Sequence, residues 1–161
     1  MLEAEFSKYK DLWLQHRKGE EPIIPAIGSL KALRNFAKLL MLAKQHPTVG
    51  IDHRSKAAEY LGDMFMYIFG MHCALGEDFK YNGCCAGFDS VEAGLATCTY
   101  SFGRMMYVVN AGSSVGFFLK SNAQCVVSLC KCCCIEPEEA CKISLEKLCS
   151  KWSATQDQVC I

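Results

Sequence analysis

An excess of charge of either sign is missing from this chain: across 161 residues, 17 lysines and arginines balance 17 aspartates and glutamates. A protein whose main task is to neutralise a nucleic-acid backbone carries a basic surplus, so nucleic acid is not an expected partner. Proline is scarce, at 4 residues, and no uncharged run is long enough to span a bilayer. The longest, Met105 to Leu119, is interrupted by Asn110, Gly112, Ser113, Ser114 and Gly116 and falls short of the ~20 apolar residues a span needs. No membrane partner is expected on that ground. The opening residues, MLEAEFSKYK, hold acids and lysines where an export signal needs an apolar stretch, which points to a cytoplasmic protein. Alternation of period two is also rare, and with it any expectation of a sheet.

What is present is apolar: 51% of the residues are hydrophobic, enough for a buried core and too many for a disordered chain. The length suits one domain or two small helical units. Cysteine is abundant, with 12 residues concentrated after residue 120 and a consecutive run at Cys132, Cys133 and Cys134. Reduced, buried thiols are expected, because free cysteine packs as a small hydrophobe. Neither paired CxxC knuckles nor a CxxC with a downstream HxxxH occurs, so no metal ligands are assigned.

Helix punctuation recurs along the chain. Residues 2 to 18 form an amphipathic start that Gly19 ends. A loop with Pro22, Pro25 and Gly28 leads to Ser29, a candidate cap for a second helix that runs until Pro47. A third helix opens near Asp52 or Ser55 and stops at Gly76. A fourth follows from Asp89 or Ser90 to about Ala111, and a fifth from about Val115 to Cys134. Pro137, with Glu138 and Glu139 behind it, starts a sixth to about Trp152. The expectation is an all-α six-helix bundle. Between Ala93 and Ile135 the charged residues are Arg104, Lys120 and Lys131 alone, so this stretch is either central or meets a partner, a second copy or another protein.

The third helix carries a family resemblance. Glu59-Tyr-Leu-Gly-Asp63, ten or so apolar-rich residues and Leu75-Gly76-Glu-Asp resemble the second metal-binding helix of the all-α MazG-like nucleotide pyrophosphohydrolases, which reads EELGD and then LGID. The segment from Cys134 to Lys151, with Glu138-Glu139-Ala140 and Leu145-Glu-Lys147, is similar to that family's ending. An offset of 58 residues lays Arg34 on Glu92, Asp63 on Ser121 and Gly76 on Cys134 without a gap. This suggests two degenerate units, residues 1–82 and 83–161, packed as a pseudo-dimer. The resemblance implies carboxylates in EExxE and ExxD spacing that converge on Mg²⁺. Here the first unit has Arg34, Asn35 and Lys38, then Tyr60 and Asp63, with Glu59 just outside the pattern. The second unit has Glu92, Ala93 and Ala96, then Phe118 and Ser121.

With the acids so depleted, the resemblance implies a catalytically inactive relative with no cofactor, which binds a nucleotide or another phosphate-bearing small molecule or serves a regulatory role. The candidate ligand residues are Arg34, Lys38, Glu59, Tyr60 and Asp63; no catalytic residue is assigned. Arg34 and Lys38 have two readings, salt bridges to Glu59 and Asp63 on the facing helix or capture of a phosphate. The alternatives are an interaction module joined through residues 93–135 and a divergent Mg²⁺-dependent hydrolase using Glu59, Asp63, Asp89 and Glu92. His16, His46, His53 and His72 are scattered, and His72 reads as a packed core residue. Gly112 to Gly116 lacks the lysine and the preceding strand of a P-loop.

Overall fold

A computed structural model describes residues 1–45, 53–83, 87–112 and 116–159. It contains α1 (Leu2–His16), α2 (Ile23–Gln45), α3 (His53–Leu75), α4 (Val91–Asn110), α5 (Gly116–Cys132) and α6 (Pro137–Val159). Among the described residues there is no strand, and the chain is an all-α six-helix bundle as its punctuation predicts. His46, Pro47, Asp52, Cys84, Cys85, Ser113, Ser114, Val115 and Cys160 lie outside the described residues.

The second helix departs from expectation by starting at Ile23 rather than after Ser29. Pro25 falls in its first turn, where a missing N–H leaves no intrahelical bond unmade, so proline is tolerated there. Ser29 does not cap; its hydroxyl donates back to the Pro25 carbonyl at 3.2 Å. Gly28 then lies inside the helix because Tyr67 packs directly on it, and a Cβ would collide with the phenol ring. The sixth helix also extends beyond Trp152 to Val159. Ser90 caps α4 as its sequence suggests, accepting from the Ala93 N–H at 3.1 Å.

Helix α3 is the axis of the molecule, packing against α1, α2, α5 and α6. Helices α2, α3, α5 and α4 close a four-membered ring, while α1 and α6 pair over the remaining side of α3. Leu61, Met64, Phe65, Ile68, Phe69 and Met71 are wholly buried as a result. Each such side chain contributes roughly 1.5–3 kcal/mol by leaving water. Gly62 permits the closest contact, since a Cβ there would meet the Ala140 carbonyl of α6. At the helix starts, Arg54 grips both Glu139 oxygens at 3.0 and 3.1 Å.

Two helices end alike. Gly76 (φ 69°) closes α3 through Gly76 N–H to Cys73 O at 3.1 Å and Glu77 N–H to His72 O at 2.8 Å. Cys134 (φ 54°) closes α5 through Cys134 N–H to Lys131 O at 3.1 Å and Ile135 N–H to Cys130 O at 2.9 Å. The cysteine run is therefore not contained in a helix: Cys132 is the last residue of α5, and Cys133 and Cys134 make the turn. All nine described cysteines are free, and Cys73, Cys98, Cys125, Cys130 and Cys141 are buried. Burial pushes the Cys73 and Cys133 thiols up to about 11, which keeps them protonated at neutral pH.

Candidate functional site

The end of α1, the first turns of α2, the middle of α3 and the outer face of α6 enclose a cleft of about 420 Å³. Its position follows from local sequence. Gly19 (φ 90°) turns the chain out of α1, which brings Arg17 and Glu20 to the rim, paired at 3.5 Å. The Gly28–Tyr67 contact and the approach of Gly70 to Tyr9 and Pro25 draw α1, α2 and α3 together beneath it. From α6 come Lys147, Leu148, Lys151 and Trp152, whose spacing keeps them on one face.

The lining is aromatic and cationic. Tyr9, Tyr67 and Trp152 supply rings, and Arg17, Lys31, Lys147 and Lys151 supply positive charge against two acids, Glu20 and Asp63. The Arg17 guanidinium also lies over the Trp152 ring, 5.7 Å from its centroid. Burial pushes the Tyr9 and Tyr67 phenols up, so both stay neutral donors. The Trp152 indole N–H is buried without a hydrogen-bond partner among the described residues.

Lys147 is the hub between α6 and α3, with Nζ at 2.8 Å from Glu59 and 3.2 Å from Asp63. Burial pulls its pKa down, but the bond to Glu59 and the charge of Asp63 outweigh that and raise it. The Lys147 ammonium, then Lys56 at 3.0 Å, hold Glu59 below the usual carboxylate range. Asp63 also accepts the Ser144 hydroxyl at 2.8 Å. Lys31 and Lys151, by contrast, have no ion pair among the described residues. They are the cations free to meet an incoming anion.

The structure divides the residues singled out from the sequence. Asp63 lines the cleft; Glu59 and Tyr60 lie beside it on α3, with Glu59 reaching the rim through Lys147. Arg34 and Lys38 are exposed on α2 and do not line the cleft. Salt bridges from them to Glu59 and Asp63 are not formed, because those carboxylates face α6 and are taken by Lys147, Lys56 and Ser144. Glu92 instead pairs with Lys44. The acids of the hydrolase alternative are thus not assembled, and among the described residues no group of three His, Cys, Asp or Glu side chains is placed to hold a metal. Sequence reasoning missed Arg17, Lys31, Lys147, Lys151 and Trp152. The one available signal was Lys147, Lys151 and Trp152 at helical spacing.

Searches against protein-family models, curated proteins and solved structures find no match to this chain.

Proposed function

We propose that this protein binds a phosphate-bearing small molecule, a nucleotide being the form that fits best, in the cleft between α1, α2, α3 and α6, and that it does so without catalysis. The observation that carries this reading is the pairing of unpartnered Lys31 and Lys151 with the aromatic walls Tyr67 and Trp152 in one cleft of about 420 Å³. Ammonium groups recognise phosphate, and ring faces accept a planar base.

The residues do not fit a magnesium cage. Glu59 and Asp63 are both engaged by Lys147, and the positions that carry acids in the MazG-like family hold exposed Arg34 and Lys38 on α2. No metal-dependent step is assigned. We keep the kinship to that family as a proposal, in the form of an inactive relative built from two degenerate units. Support for the two units comes from the side-by-side packing of the α2–α3 and α4–α5 hairpins and from the matched helix ends at Gly76 and Cys134.

Calorimetry of the metal-free, reduced protein against nucleoside mono-, di- and triphosphates and inorganic phosphate tests the reading. A Lys31→Glu, Lys151→Glu variant should bind at least tenfold more weakly, a loss of about 1.4 kcal/mol or more. Unchanged affinity in that variant would sink it. A second reading, self-association through residues 93–135, draws on Tyr100 and Tyr107, which are 69% and 73% exposed on α4. Light scattering after size exclusion decides it, a monomer at micromolar concentration counting against association.

A further inference from the structure

We infer that the outward face of α2 docks on an anionic lipid surface. This helix has 23 residues and not one acid, and it carries Lys31, Arg34 and Lys38, all exposed. At 100° per residue these three fall on a single outward arc roughly 60° wide. Lys44, the remaining cation, lies off that arc and is paired with Glu92 of α4.

The arc is not purely basic. Ile24 and Ile27 occupy one end of it and Met41 and Leu42 the other, each between 42% and 59% exposed. Aliphatic side chains in such numbers on a helix whose inner side already packs on α3 and α4 have no role in the core. From Ile24 to Leu42 the stripe runs roughly 27 Å, apolar at both ends and cationic between.

Charge decides the occupant. A second copy related by a two-fold axis would set Lys31, Arg34 and Lys38 against the same three cations, with no acid on the helix to relieve them. A protein partner would need carboxylates matched in position to each of the three cations along the helix. A sheet of anionic headgroups meets all three at once, and the aliphatic ends enter the headgroup boundary. Residues 23–45 need not cross the bilayer for this. The expectation of no membrane partner rested on the lack of a spanning run, and among the described residues no helix is long and apolar enough to cross. A helix that lies on the surface requires none.

The stripe adjoins the cleft, since Ile24, Ile27 and Lys31 line its α2 side. Docking would turn the mouth of the cleft toward the lipid. The inference does not rest on the nucleotide reading, and the test uses Arg34 and Lys38, which line no part of the cleft.

The experiment is sedimentation of the full chain with vesicles of phosphatidylcholine alone and of phosphatidylcholine mixed with phosphatidylserine, at low and high salt. Binding is expected only to the mixed vesicles and should weaken with salt. An Arg34→Gln, Lys38→Gln variant, checked for native helicity by circular dichroism, should partition at least tenfold more weakly. Met41→Gln with Leu42→Gln should also weaken partition, in this case without altering its salt dependence. Both variants should keep the wild-type response to soluble nucleotide. Equal binding to the two vesicle types, no binding to either, or undiminished partition of the Arg34→Gln, Lys38→Gln variant overturns the inference, whichever acidic protein the chain is found to bind.

Discussion

The hairpins α2–α3 and α4–α5 occupy equivalent sides of one four-helix ring, yet they solve the problem of burial differently. In the first, glycines bring helices and rings into direct contact at Gly28, Gly62 and Gly70, where the second has such a contact at Gly94 against Leu129 and Phe88, and α1 and α6 cover what the ring leaves open. The second lies on the open side. Its interior holds a buried polar cluster in which Ser101 donates to Asn122, and the Asn122 amide reaches the Met105 sulfur at 3.2 Å. A backbone pattern shared by two hairpins thus leaves their surfaces free to diverge. One became cationic along α2; the other became nearly uncharged and aromatic along α4.

Acid should separate the hairpins most strongly. His72 on α3 is buried among Phe6 and Phe79, with ring centroids 5.9 and 5.3 Å away, and desolvation lowers its pKa from 6.5 to about 4 against the opposing pull of Glu77 and Asp78. Between those values the unfolded chain binds a proton that the folded chain excludes. Stability is therefore fully present above about pH 6.5 and is lost as pH falls toward 4, by up to about 3 kcal/mol. Denaturant unfolding at several pH values measures it. A His72→Phe variant should flatten the slope over that window, and an unchanged slope would place the proton uptake elsewhere.

A smaller effect comes from breaking the close contact that the first hairpin relies on. Gly28→Val forces the Tyr67 ring out of its place, at a cost of about 1–3 kcal/mol in stability. The same change should narrow the cleft and weaken nucleotide binding, read by melting and calorimetry together. If the melting point drops and affinity does not, Tyr67 is not a wall of the ligand site.

The smallest effect would make the two hairpins more alike. Cys134 holds the left-handed conformation that Gly76 adopts freely, so Cys134→Gly should stabilise the fold by about 1 kcal/mol. Gly76→Ala should destabilise it by a similar amount. Opposite signs in thermal melts are the expected result; equal signs would mean the two ends are not equivalent.

Much of this scaffold was legible in the residue order. Gly19, Gly76, Gly112 and Pro137 mark helix ends through backbone geometry that acts locally, and the structure follows them. The start of α2 was not legible, because a proline in the first turn and a glycine needed for a ring contact look the same as a loop. The candidate site was less legible still. Asp63 was found, since its spacing from Glu59 is intrahelical, but Lys147 lies 84 residues away from it and only packing brings the two together. Arg34 and Lys38 showed in the sequence as a charged pair one turn apart. Their outward direction depends on which side of α2 the core claims.

The central position of α3 has a consequence for synthesis. Its apolar surface is complete when Leu75 leaves the ribosome, while α6, which covers one side of it, begins at Pro137. At ordinary elongation rates that interval is on the order of several seconds. Through it the nascent chain carries an uncovered hydrophobic helix, and the Lys147 contacts with Glu59 and Asp63 are among the last to form. Stalling translation between α5 and α6 would therefore yield a product that needs a chaperone to remain dispersed.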